Sequence, residues 1–316
     1  MIACGLDFGT SNSAIGVTRD GTAALAPIEA TSTLIPSAVF FDYETKGQVL
    51  FGNEAIAAYV GQTEGRLMRA LKSILGSPLI NEETSLAGRK VPLTEVVEIF
   101  VRHLKHKAEA FAGREITSVV HGRPVRFVDD DDRADARAQE VLEAIARRAG
   151  FRDVAFVYEP IAAAHHYEQT VQGEELALIA DIGGGTSDFS IIRVGPQQRE
   201  RADRSPADRN RDVLATAGVR VGGTDFDTAL NLAAVMPLLG LGTQLVEKNL
   251  PMPNALYHGL ATWPTINFAY TYKNEREIAE LVSLACEPEK VARLLAVVRQ
   301  RLGHRLAFAV EDAKIA

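Results

Sequence analysis

The sequence predicts an α/β protein made of two related lobes that face each other. Three observations predict it. Runs of β-branched and aliphatic residues alternate with amphipathic helical stretches. One local pattern occurs twice, GLDFGTSNS from Gly5 and IADIGGGTSDFS from Ile179: an apolar strand, an Asp, a Gly-rich turn, Thr/Ser and a second strand. The length, 316 residues, suits about two domains.

The elements follow in order. Residues 2–8 are an apolar run, and 14–18 and 23–28 are two more, separated by Asp20–Gly21, a hairpin signal. A helix is expected over 93–111, where Leu93, Val96, Val97, Phe100, Leu104, Ala108 and Phe111 share one face. Residues 117–121 form a β-branched strand. A second helix, 132–149, carries a stripe of Ala134, Ala138, Val141, Leu142, Ile145 and Ala149. The acidic run 129–132 at its start reads as a cap favoured by the helix dipole, in preference to a metal site. Strands are expected at 176–181 and 189–194. The polar stretch 195–212 has almost no apolar residue to bury and is expected to be a long mobile loop. Helices are expected at 225–239, 275–285 and 289–316. Between them, 249–272 is rich in Pro, Asn and aromatics and is expected to pack irregularly in a small subdomain.

Composition excludes several classes. The net charge of −7 leaves no basic field over the whole chain for general nucleic-acid binding, although a local patch remains open. The two cysteines, Cys4 and Cys286, have neither disulfide nor metal-ligand spacing and read as unpaired thiols of a reducing compartment. No signal peptide or membrane span is apparent, so the expected location is cytoplasmic, without a membrane partner.

The repeated turns carry the chemistry. Closely spaced glycines let backbone N–H groups approach phosphate oxygens. Gly9, Thr10, Ser11 and Asn12 offer amides and hydroxyls in the first turn; Gly183, Gly184, Gly185 and Thr186 do so in the second. Asp7 and Asp181 lead the turns. Mg²⁺ prefers oxygen ligands and keeps several waters, so the two aspartates could hold a hydrated ion beside phosphates. Neither turn is a Walker A loop, and neither has the G-x-G-x-x-G of a Rossmann site.

These residues resemble the phosphate motifs of the actin-like ATPase superfamily, most closely the seventy-kilodalton heat-shock protein (DnaK-type) chaperones. YEPIAAA at 158–164 resembles their interlobe connecting motif, and VRVGGTDFD at 219–227 a later helix-opening segment. LIPSAVFF at 34–41, ALKSILG at 70–76 and the final VEDAKIA match further segments. The resemblance implies a two-lobed, ribonuclease H-like ATPase fold. The first lobe would be 1–170, with a small subdomain inserted at about 31–92, and the second 171–316. It implies ATP/ADP with Mg as cofactors, Asp7 and Asp181 holding the metal through water. The turn residues named above, with Gly222, Gly223 and Lys314, would contact nucleotide. Lys72, Glu159, Asp181 and Asp188 would be catalytic. Read alone, Lys72 is equally a solvated helix lysine. Pro124 falls where the family couples nucleotide state to the outer surface, but His121–Gly122–Arg123 departs from the usual run before it.

The family's later adenine loop, peptide-binding β-sandwich and lid have no counterpart in the sequence. These departures point to a resemblance to the YegD-type chaperones, which resemble an isolated ATPase domain, and the second lobe is expected to be truncated relative to one. The expected function is an ATP-binding, slowly ATP-hydrolysing chaperone or nucleotide switch, with protein clients or co-chaperones as partners. A small-molecule kinase of the same superfamily and a non-catalytic nucleotide-binding module stay open as alternatives.

Overall fold

Two hairpins and two crossovers build the first sheet. The computed structural model describes residues 3–19, 22–30, 32–45, 47–86, 88–204, 211–247 and 250–316. Strands β1 (Ala3–Phe8), β2 (Asn12–Arg19) and β3 (Thr22–Leu25) are antiparallel neighbours, and β4 (Ile35–Pro36) pairs with β2. A small sheet of β5 (Ala38–Asp42), β6 (Val49–Phe51) and β7 (Gly65–Arg69), in the order β6-β5-β7, comes next. Helix α1 (Gly52–Val60) packs on it, and the hairpin β8 (Glu83–Leu86) to β9 (Arg89–Pro92) follows.

Helix α2 (Leu93–Ala112) buries Leu93, Val96, Val97, Phe100, Leu104 and Ala108, the stripe its sequence spacing dictates, and ends at the left-handed Gly113. Strand β10 (Ser118–Arg123) runs parallel to β1. Helix α3 (Asp132–Arg148) then leads to β11 (Asp153–Tyr158), parallel to β10. Asp131 caps α3, accepting from the backbone N–H groups of Arg133 and Ala134 at 3.1 and 3.0 Å. The sheet order is thus β11-β10-β1-β2-β3. Phe8, on the face of β1 turned towards α2, packs on Phe100 with ring centroids 5.9 Å apart.

Helix α4 (Glu159–Tyr167) leaves β11 directly and lies against the second sheet, β12 (Glu175–Ile182), β13 (Ser187–Val194) and β14 (Val213–Val219), all antiparallel. Ile161 and Ala164 of α4 join Val171, Ile192 and Val194 in that sheet's core.

The stretch 195–212 corrects the expectation of a long loop. Helix α5 (Pro196–Arg204) occupies its first half; residues 205–210 lie outside the described residues. The helix has no apolar stripe. Polar contacts fix its start: Gln198 is buried and donates to Glu174 at 2.7 Å, and the Gly195 N–H donates to Glu168 at 2.9 Å. Buried polar groups with partners hold this segment where hydrophobicity does not.

By compactness the chain divides into Met1–Gly222 and Gly223–Ala316. This is a different division from the lobe boundary expected near residue 170, which separates the two sheets. In the second unit, α6 (Gly223–Leu230) begins before the expected residue 225. It passes into a π-helical stretch, Asn231–Val235, and a 3-10 turn, Met236–Leu239, holding Pro237. Helices α7 (Ala255–Ala261), α8 (Tyr272–Leu284), α9 (Pro288–Arg299) and α10 (Gly303–Ile315) complete it. The single helix expected over 289–316 is two. Arg301 is left-handed, with φ 54°, and Gly303 lies so close to Tyr270 that a Cβ there would be 2.6 Å from the hydroxyl. No described helix is long and apolar enough to cross a membrane.

Candidate functional site

The two glycine-rich turns meet tip to tip within the unit Met1–Gly222. The first joins β1 to β2 with Phe8 opposite Ser13; the second joins β12 to β13 with Ile182 opposite Ser187. A Cβ on Gly184 would lie 2.3 Å from the Ser11 hydroxyl, and one on Gly185 2.7 Å from that of Thr10. Gly222, three residues beyond the end of β14, seals the second turn from behind. Its Cβ would fall 2.6 Å from the Gly185 nitrogen and 2.8 Å from the Gly183 oxygen. These contacts explain Gly184, Gly185 and Gly222: the facing hydroxyl side chains, or for Gly222 the facing backbone, stand closer than a Cβ permits.

Asp7 and Asp181 precede the turns at equivalent places, Asp7 opposite Ala14 and Asp181 opposite Asp188. Lys72 lies in a 3-10 turn, Leu71–Ile74, entered through the left-handed Ala70. Its side chain is 7% exposed and its ammonium donates to Glu159 Oε1 at 2.5 Å, so it is a buried ion-pair partner and not a solvated helix lysine. Glu159 opens α4. Gly122 on β10 makes room for it, since a Cβ there would stand 3.3 Å from Glu159 Cγ.

Four carboxylates, Asp7, Glu159, Asp181 and Asp188, thus share one ammonium. Burial, then the charges of Glu159 and Asp181, pushes Asp7 up to about 6 despite the nearby Lys72. Burial and Glu159 also raise Asp181. Asp188 is likewise pushed up to about 6, chiefly by burial, although Thr186 and the Val125 N–H (2.6 Å) donate to it. Such a site favours a cation.

The donors are all oxygens, yet among the described residues no group of three or more His, Cys, Asp or Glu is placed to hold a metal ion by itself. That set fits an ion that keeps its own waters, as Mg²⁺ does.

Not every candidate belongs to this cluster. Asn12 opens β2 opposite Pro36, and a Cβ on Gly9 would meet its backbone oxygen at 2.1 Å. Lys314 lies in the other unit, where it pairs with Asp227 at 2.6 Å and donates to the Gly223 carbonyl at 3.0 Å. Pro124 lines a small hole beside Thr10 and Lys72. The Arg123 before it is buried, donating to the Pro124 carbonyl at 2.9 Å and pairing with Asp135 at 2.8 Å.

Sequence reasoning missed the Val125 amide, which no side chain announces. It also missed Arg220, which lines the same small hole and donates to the Ser73 carbonyl at 2.8 Å; its place two residues before Gly222 was the available signal.

Residues 3–235 match the family model described as Hsp70 protein. The chain is 33% identical over 232 residues to the chaperone protein DnaK of Endomicrobium trichonymphae, covering 72% of this chain and 34% of that protein. It is 31% identical over 229 residues to the chaperone protein DnaK of Thermotoga petrophila, with the same two coverages, 72% and 34%. The chain therefore spans about a third of the length of the curated relatives it matches.

Proposed function

The chain belongs to the Hsp70 family, and from that premise we propose that it is an ATP-binding, slowly ATP-hydrolysing nucleotide switch of the DnaK-like kind. The observation that carries the reading is the buried Lys72–Glu159 pair beside two opposed glycine turns, each led by an aspartate. Phosphoryl transfer needs positioning and charge neutralisation more than covalent help. The turns supply amides and the hydroxyls of Thr10, Ser11 and Thr186 to hold phosphate oxygens. Asp7 and Asp181 would hold hydrated Mg²⁺, which when bound neutralises phosphate charge. Lys72, fixed by Glu159, stabilises charge on the terminal phosphoryl group and orients the attacking water. Glu159 and Asp188 polarise that water. The partners under this reading are protein clients or co-chaperones in the cytoplasm.

Calorimetric titration of the chain with Mg-ATP and Mg-ADP tests this, with Asp181→Ala alongside. Saturable binding by the wild type that is at least tenfold weaker in Asp181→Ala supports the reading. Absence of binding by a chain with a cooperative thermal transition sinks it.

A further inference from the structure

The hole beside the two turns is lined in part by an arginine, Arg220, to which the motif resemblance gives no role. It has a volume of about 20 Å³, room for about one water-sized group. Thr10, Lys72, Ser73, Gly185, Thr186 and Arg220 line it, backed by Gly76, Pro124 and Phe127. Two cations and three hydroxyl side chains face one opening, and no carboxylate is in the lining. Lys72 is already paired with Glu159 at 2.5 Å, so the charge at this opening that calls for an anionic oxygen is that of Arg220.

Arg220 is held for the purpose at two points. Its backbone N–H donates to both carboxylate oxygens of Asp129, each at 3.1 Å. Its guanidinium donates through one Nη to the Ser73 carbonyl at 2.8 Å. That carbonyl belongs to the same 3-10 turn as Lys72, so the two cations are set in one frame. A guanidinium has five N–H donors in a rigid fork. Among the described residues, no carboxylate pairs with that of Arg220.

We propose that Arg220 binds an oxygen of the terminal phosphoryl group of a nucleoside triphosphate in this hole, so that it sets the preference for triphosphate over diphosphate. The proposal rests on the nucleotide reading above and adds its selectivity-determining residue. A diphosphate held by the turns has no oxygen to place there. A triphosphate gains a charge-assisted hydrogen bond, which becomes more valuable as negative charge develops on the transferring group.

The test compares Mg-ATP and Mg-ADP affinities by calorimetry for the wild type, Arg220→Met and Arg220→Gln. Met keeps the apolar stem. Gln keeps a polar amide but is shorter and uncharged, and an unchanged cooperative thermal transition in both variants guards against a purely structural loss. Both variants should bind Mg-ATP at least tenfold more weakly and Mg-ADP within twofold of wild type. An equal loss for both nucleotides, or no loss for either, overturns the proposal while leaving the nucleotide reading intact. A wild type that binds neither nucleotide overturns both.

Discussion

The two turn-bearing hairpins share one backbone plan and differ in what surrounds it. In each, the aspartate sits two residues before the turn glycine, and the strands close on a Ser opposite an apolar residue, Ser13 opposite Phe8 and Ser187 opposite Ile182. The first hairpin presents side chains at its tip, Thr10 and Ser11. The second presents bare backbone, Gly184 and Gly185, against which those side chains rest. Strand β1 is flanked by β10 and buries Cys4, Leu6 and Phe8. Its counterpart β12 leaves Leu176, Leu178 and Ile182 exposed. The pairing between strands fixes the turns alike in both; burial makes the leading strand of the first hairpin part of a core, whereas in the second it is β13 that is buried and β12 that lies on the surface.

The largest expected effect breaks that likeness in stability. Phe8 is 0% exposed and Ile182 65%. Phe8→Ala should cost about 3–5 kcal/mol, the lost transfer energy plus a cavity. Ile182→Ala, at the equivalent place, should change stability by less than about 0.5 kcal/mol, as exposed positions do. Urea unfolding of both variants measures the difference. Equal losses would mean that the exposed face of β12 is covered in solution.

The glycines sharpen the comparison next. Gly9 and Gly183 hold the same turn position. A Cβ on Gly9 would meet the Asn12 carbonyl at 2.1 Å, whereas one on Gly183 comes no nearer than 3.4 Å to the Thr186 oxygen. Backbone cannot move aside as a flexible side chain can. Gly9→Ala should therefore cost about 1–3 kcal/mol, as overpacking does, and weaken nucleotide binding through the distorted turn. Gly183→Ala should leave thermal stability within about 0.5 kcal/mol of wild type. Similar melting shifts for the two would contradict this account.

Much of the fold was legible where one period dominates. The stripe of α2 and the repeated strand-turn-strand pattern needed no tertiary information. Helix α5 was illegible because Glu168 and Glu174 anchor it through Gly195 and Gln198, and polarity alone reads as loop. The break between α9 and α10 was hidden because Gly303 answers to Tyr270, more than thirty residues earlier in the chain. In the site, a glycine turn advertises phosphate contact by residue type, so the aspartates and turn residues could be singled out. Val125 contributes through an amide that any residue would supply. Arg220 contributes through a distant carbonyl, and its sequence neighbours are apolar. Contacts made by backbone, or across long separations, leave no local pattern to read.

Asp188 gives the last contrast, since the first hairpin has Ala14 at the equivalent position. Asp188 is 1% exposed. Burial foremost, with the charge of Glu159, pushes its carboxyl up to about 6 from an ordinary 3.8. The folded state therefore holds this proton more tightly than the unfolded chain does. The contribution to stability is most favourable below about pH 4 and is lost as pH rises to about 6, above which the cost is constant. Asp188→Asn removes the ionisation and keeps an oxygen to accept from the Val125 N–H. In chelator-treated, nucleotide-free protein, the variant should gain stability relative to wild type between about pH 4 and 6, by on the order of 2 kcal/mol at neutral pH. Ala14→Ser, in the hairpin without this charge, should show no such pH-dependent difference. A wild-type minus Asp188→Asn difference that stays flat from pH 4 to 7 would mean that the carboxylate is fully compensated by Lys72 and its two hydrogen bonds. In that case the site holds its negative charge at no cost to the fold, and the first and second hairpins are electrostatically alike.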